Sequence, residues 1–140
     1  MLKLSKDDFS SQDGKKYGWD ELLALAALLR GEGGCPWDRK QTHGSVVPNL
    51  REETEEMIAA IETGDSAGLC EELGDLLWQV VFHSRMEEED GVFTVEDVVD
   101  GIVSKLVRRH PHVFGNETAS DADDVLGIWK RVKEQEKNSL

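Results

Sequence analysis

Residues 50–79 read LREETEEMIAAIETGDSAGLCEELGDLLWQ, and this stretch holds two near-copies of one pattern. The first is Leu50-x-x-Glu53-x-x-Glu56-Met57 and the second is Leu69-x-x-Glu72-x-x-Asp75-Leu76. Between them, Thr63-Gly64-Asp65-Ser66 reads as a turn. Gly64 suits the left-handed position after a helix, and Asp65 or Ser66 can cap the next one. Glu53 and Asp75 each lie 11 residues from Gly64, and Glu56 and Glu72 each lie 8 from it. In an antiparallel helical hairpin these residues meet in pairs, and residues three apart share a helix face. Four carboxylates then project into one small volume, where burial raises the cost of every charge. A hard divalent cation with oxygen ligands, Mg²⁺ or Mn²⁺, relieves that repulsion. An ExxE pair is also a common solvated feature of helix surfaces, because charged residues are mostly exposed. The spacing alone leaves both readings open.

The rest of the chain narrows the class. Its 140 residues suit a single domain with a proper core, and 39% hydrophobic with 32% charged residues is ordinary globular composition. A net charge of −13 disfavours nonspecific binding to nucleic acid or to an anionic membrane. Any phosphate-bearing substrate therefore needs a metal or a local basic patch. Cys35 and Cys70 have neither CxxC nor zinc-site spacing and read as reduced thiols of a cytoplasmic protein. No apolar run approaches the roughly 18 residues of a membrane span. Residues 1–16 are polar and read as a flexible leader; residues 138–140 read as a tail.

Helical periodicity predicts an all-α bundle of four to five helices within residues 17–137. The first spans 19–30, with Trp19, Leu22, Leu23, Ala26 and Leu29 on one face and Gly31 ending it. Residues 31–48 read as an irregular loop with four glycines and two prolines, and a loop of that length in a small helical domain points to function. Its Trp37, Asp38, Gln41, Thr42 and His43 are the groups a nucleobase or sugar pocket needs; equally, Trp37 can plug the end of the bundle. The hairpin helices span 47–63 and 66–89. Leu50, Met57 and Ile61 on the first, and Leu69, Leu73, Leu76 and Val80 on the second, read as core stripes. The carboxylates fall on the adjoining flanks, with small Ala60 leaving room beside them. A fourth helix over 94–109 carries the broad apolar face Val95, Val98, Val99, Ile102, Val103 and Leu106, and its last turn gathers Lys105, Arg108 and Arg109. Cations there offset the helix dipole, and they also supply the basic cluster a polyphosphate needs. After a polar loop over 111–121, a fifth helix reaches about Lys137, with Ser120 or Asp121 as its cap and Trp129 and Lys133 one turn apart. Two other metal designs are excluded. A calcium loop around Gly91 would put Met86 at its first ligand position, and a di-iron bundle needs a Glu-x-x-His pair that no histidine here provides.

Four segments in this order resemble the MazG family of all-α nucleoside triphosphate pyrophosphohydrolases. They are GCPWDxxQTH at Gly34–His43, EExxE at Glu52–Glu56 followed by ExxD at Glu72–Asp75, KLxRRHPHVF at Lys105–Phe114, and WxxxK at Trp129–Lys133. One departure is Glu55, where relatives often carry an aromatic; the acidic positions are intact. The resemblance covers about residues 19–137. It implies hydrolysis between the α- and β-phosphates of a nucleoside triphosphate, with Mg²⁺ held by Glu53, Glu56, Glu72 and Asp75 and Glu52 as a supporting carboxylate. It further implies that Lys105, Arg109 and Lys133 hold phosphate oxygens, that Trp129 or Trp37 faces the base, and that protomers associate as a homodimer or tetramer. A narrower relative acting on phosphoribosyl-ATP or deoxyuridine triphosphate, and a silent nucleotide-binding regulator, are the alternatives.

Overall fold

The structure is a computed structural model, and it describes residues 3–9 and 14–139. Parts of the expected leader and the end of the expected tail lie outside the described residues. All regular structure among the described residues is helical: α1 (Trp19–Arg30), α2 (Pro36–Lys40), α3 (Val47–Thr63), α4 (Ser66–Glu89), α5 (Val95–Arg109), α6 (Pro111–Phe114) and α7 (Ala122–Asn138). Short 3₁₀ turns add Lys6–Phe9 and Gly44–Val46. The chain divides into two compact units, the first ending at Val95 and the second starting at Glu96. None of these helices is long and apolar enough to cross a membrane.

In the first unit the dominant packing is α3 against α4. Gly64 ends α3 with φ +68°, a conformation glycine adopts without the steric cost of a Cβ. One residue on, Asp65 accepts a 2.9 Å hydrogen bond from the Gly68 N–H and so caps α4. The fold-back therefore uses two adjacent residues with opposite duties.

The 31–48 stretch is less irregular than its glycines suggest. Pro36 occupies the first turn of the short α2, where its missing N–H costs little. A Cβ at Gly34 would sit 2.3 Å from the carbonyl oxygen of Leu28, so only glycine allows the chain to double back on the end of α1. One-turn helices such as α2 and α6 carry too few residues for periodicity to announce them.

The core differs from the predicted stripes. It gathers Val46, Phe82 and Met86, with Trp78 packed against them and Phe82 edge-on to Trp78 at 5.7 Å. Val81 and Ala26 are also buried. Three residues assigned to core stripes are exposed instead: Ile61 by 55%, Leu73 by 46% and Val80 by 43%. Periodicity finds an apolar face but does not say what covers it.

In the second unit, Asp121 caps α7 by accepting from the Asp124 N–H at 2.9 Å, and Ile128 and Val132 on α7 are buried. The apolar face of α5 is mostly exposed. Val95, where α5 starts and the first unit ends, is buried, while Val98, Val99, Ile102, Val103 and Leu106 of the second unit face solvent.

Candidate metal centre

Glu53 and Glu56 lie one turn apart on α3, and Glu72 and Asp75 lie one turn apart on α4. Folding at Gly64 brings one oxygen of each of the four to within 4.8 Å of the others. The pairing follows distance from the turn: Glu53 hydrogen-bonds Asp75, and Glu56 hydrogen-bonds Glu72. Carboxyl groups set this close repel when ionised, which favours taking up a proton or a cation. Burial first, then the charge and hydrogen bond of Asp75, push Glu53 up to about 7. Burial, followed by Glu56, also raises Glu72.

Two oxygens in this cluster, Glu53 Oε2 and Glu72 Oε2, are buried without any hydrogen-bond partner. Such orphaned acceptors are costly. The donor set fits a hard divalent cation: it is all oxygen, anionic and convergent. The charge also fits, since a divalent cation offsets the repulsion among the four carboxylates. Ala60, one turn beyond Glu56, is buried and small. Glu52 is exposed and stands outside the four-carboxylate group.

The glycine-rich loop is fastened to the hairpin largely by residues that sequence reasoning passed over. Arg30, at the end of α1, grips Glu89 of α4 through Nε and Nη2 at 2.8–3.1 Å, and its Nη1 donates to the backbone oxygens of Asp38 and Gln41. Its guanidinium lies 5.3 Å from the centre of the Phe82 ring and holds Glu89 below the usual carboxylate range. His43 bridges His83, at 2.6 Å between Nδ1 atoms, and Glu87, at 2.8 Å. Burial and then the neighbouring His43 lower His83. No short-range pattern joins residues some 40 to 60 positions apart, so these contacts left no mark on the periodicity.

Gln41 and Thr42 also serve the loop itself. Gln41 is buried, donating to the Trp37 carbonyl at 2.8 Å and accepting from the Ser45 hydroxyl at 2.7 Å. Thr42 Oγ1 accepts from the Ser45 N–H. Trp37 itself is 52% exposed, so it does not plug the bundle. It lines a small pocket instead, together with Asn49, Glu53, Trp78, Gln79 and Phe82.

The predicted phosphate-binding residues belong to the second unit. There Arg108 and Arg109 both clasp Glu136, at 2.7 and 3.1 Å. The Arg109 and then Arg108 guanidinium groups hold Glu136 down to about 2. Sequence reasoning missed this internal partner of Arg109, since Glu136 sits in a charged stretch resembling a frayed tail. Trp129 stands edge-on to His110 at 5.4 Å, with its indole N–H buried and unpartnered. Lys105 is half-buried and Lys133 exposed. Both cysteines are free thiols.

Comparison with known proteins gives the chain's relatives. Residues 41–114 match the MazG nucleotide pyrophosphohydrolase domain. The chain is 49% identical over 111 residues to the uncharacterized protein YabN of Bacillus subtilis, covering 79% of this chain and 23% of that protein. It is 46% identical over 119 residues to the nucleoside triphosphate pyrophosphohydrolase/pyrophosphatase MazG of Thermotoga maritima, covering 85% of this chain and 45% of the relative. The chain thus spans less than half the length of these relatives. Among solved structures, a mazG-related protein from Thermotoga maritima superposes with a TM-score of 0.68 at 28% identity, over 83% of this chain and 99% of that one.

Proposed function

The chain belongs to the MazG nucleotide pyrophosphohydrolase family, and from that premise we propose that it hydrolyses nucleoside triphosphates between the α- and β-phosphates, releasing a nucleoside monophosphate and pyrophosphate. The observation that carries the proposal is the convergence of Glu53, Glu56, Glu72 and Asp75 with two buried oxygens left unpartnered. These four residues would hold Mg²⁺, with Mn²⁺ as a substitute and Glu52 as an outer carboxylate. When bound, the metal neutralises phosphate charge and lowers the pKa of a water. The four carboxylates fix where that charge sits, because two helices joined at Gly64 hold them from both sides. Glu53, raised towards neutrality without a cation, carries a proton that must leave before it can serve as a ligand.

Lys105, Arg109 and Lys133 are the proposed phosphate-binding cations, and Trp129 and Trp37 the proposed base-facing aromatics. For Arg109, binding a phosphate competes with Glu136, already on the same guanidinium. Residues 17–137 are proposed to act as a single MazG-like domain of a cytoplasmic enzyme. The exposed apolar residues of α3, α4 and α5, among them Ile61, Leu73, Val80, Ile102 and Val103, support a homodimer or tetramer. Faces of that kind on a monomer are usually covered by a partner.

The test is product identity. With MgCl₂ and a panel of triphosphates, pyrophosphate and the monophosphate are expected in equal amounts. Orthophosphate as the first product would overturn the bond assignment, and no turnover of any triphosphate would overturn the activity.

A further inference from the structure

Past the start of α3, the hairpin continues on one side only. His83 on α4 lies 19 residues after Gly64, and the matching position before it, residue 45, falls in the 3₁₀ turn Gly44–Val46. α3 begins only at Val47, so the loop and not α3 faces His83. His43 from that loop stacks on His83, with ring centroids 4.9 Å apart and planes 7° from parallel. The two Nδ1 atoms approach to 2.6 Å, and His43 Nε2 lies 2.8 Å from Glu87, one turn further along α4.

We propose that the His43–His83 pair is a proton-operated latch, which holds the loop on α4 while the rings share one proton and releases it when acid supplies another.

The protons can be placed atom by atom. A carboxylate only accepts, so His43 Nε2 carries a proton and donates it to Glu87. Neutral His43 then has a bare Nδ1, which accepts from the Nδ1–H of His83. That leaves His83 Nε2 bare, and it is buried with no hydrogen-bond partner. A further proton has two places to go. On His83 Nε2 it sits buried without an acceptor, which is costly. Between the rings it sets N–H against N–H at 2.6 Å and charges stacked imidazoles. Separation relieves both, and His43, with a side chain 48% exposed, can swing into water.

The surrounding charges do not stabilise the extra proton. Arg30 of α1 is closed on Glu89, and Arg85 of α4 on Glu88. The first charged residue of α3, Arg51, stands level with Leu77 and well short of His83. α2 brings Asp38 with the exposed cations Arg39 and Lys40, a net positive segment that disfavours another positive charge on the loop. Burial and then His43 lower His83 from its ordinary 6.5. The docked pair thus resists protonation, whereas a released His83 titrates at the ordinary value. Docking is complete above 6.5 and weakens below it, by about tenfold per pH unit for each proton taken up.

The latch holds more than itself. Val46, three residues on, is buried with Phe82 and Met86, and with Trp37 it lines a pocket shared with Glu53. Release therefore loosens a wall beside the acidic cluster. Arg30 stays bonded to Glu89, whose affinity for a proton is lowered, so the loop pivots and does not detach.

The test reads the loop and not global stability, because the raised Glu53 moves stability the opposite way. Nitrogen-15 NMR of the full chain, from about pH 7.5 to about pH 5, follows both imidazoles and the amides of Thr42, Ser45 and Val47. Those amides are bonded to Ser45 Oγ, Thr42 Oγ1 and the Gly44 carbonyl. Their shifts should move with the His83 titration below 6.5. Their exchange protection, corrected for intrinsic rate, should fall about tenfold per pH unit. His43→Phe, at an exposed position, keeps a stacked ring without its nitrogens, and His83→Phe does so from the other side. Either variant should hold these amides unchanged across the range. Amides that stay fixed while both wild-type imidazoles titrate would overturn the latch. So would a step that persists in His43→Phe, since another group would then be driving it.

Discussion

Glu53 on α3 and Glu136 on α7 carry the same carboxyl group, yet their surroundings push it in opposite directions. Glu53 faces Asp75, Glu56 and Glu72, and its affinity for a proton rises to about 7. Glu136 faces Arg108 and Arg109, and its affinity falls to about 2. A carboxylate set between two guanidinium groups is already neutralised by the chain and acts as a structural joint. A carboxylate set among carboxylates is neutralised only by protons or by an external cation. The contrast distinguishes a candidate binding centre from a salt bridge using groups that look alike in the sequence.

The strongest way to break this comparison is to remove a member of the acidic cluster. Glu56→Ala or Asp75→Ala should lower turnover by more than about 100-fold, since even outer-sphere partners of a metal ligand are worth 10–100-fold. Circular dichroism should stay helical, and calorimetry with MgCl₂ should show the loss of binding. Retained turnover would take these residues out of the site.

The two clusters should also respond oppositely to pH. For Glu53 the folded value lies above its ordinary value of 4.5, so the folded chain holds the extra proton and stability falls as pH rises through about 7. Melting curves without divalent cation should therefore show Tm declining between pH 5 and 8. Added Mg²⁺ should reverse the decline, by about 2.7 kcal/mol at a hundred times Kd. Binding near pH 6 should release protons, because Glu53 is raised to about 7 and must be ionised to serve as a ligand, and calorimetry in buffers of different ionisation heat will read them. A Tm that rises over that range, or binding with no proton release, would contradict the raised Glu53.

The smallest effect belongs to Glu136. Its folded value lies below its ordinary value of 4.5, so its contribution is present above that pH and is lost as pH falls through about 2. Glu136→Gln should lower Tm slightly at pH 7, since exposed ion pairs contribute little, and the difference should vanish at pH 2. It should also free Arg109; tighter phosphate binding by the variant would show that the two compete.

The hairpin was legible because its information is local. Gly64, the Asp65 cap and the three-residue spacing of the carboxylates all act within a turn or two of one another, and helix ends at 63 and 66 follow from them. The loop was legible as important and illegible as built: Gln41, Thr42 and His43 look ligand-facing in the sequence, and the structure uses them to hold the loop together. The apolar stripes were found, but Leu73 and Val80 turned out exposed while Phe82 and Met86 took the core.

By itself, then, the sequence determined the all-α architecture, the five longer helices and the pairing of four carboxylates across one turn, because helix geometry converts spacing into position within a hairpin. Only the tertiary structure decided which apolar residues pack, that Arg30 and His43 fasten the loop to α4, and that Trp37 of the loop shares a small pocket with Glu53 of the acidic cluster. Those facts depend on residues distant in the chain, and no periodicity encodes which distant residue will arrive at a given face.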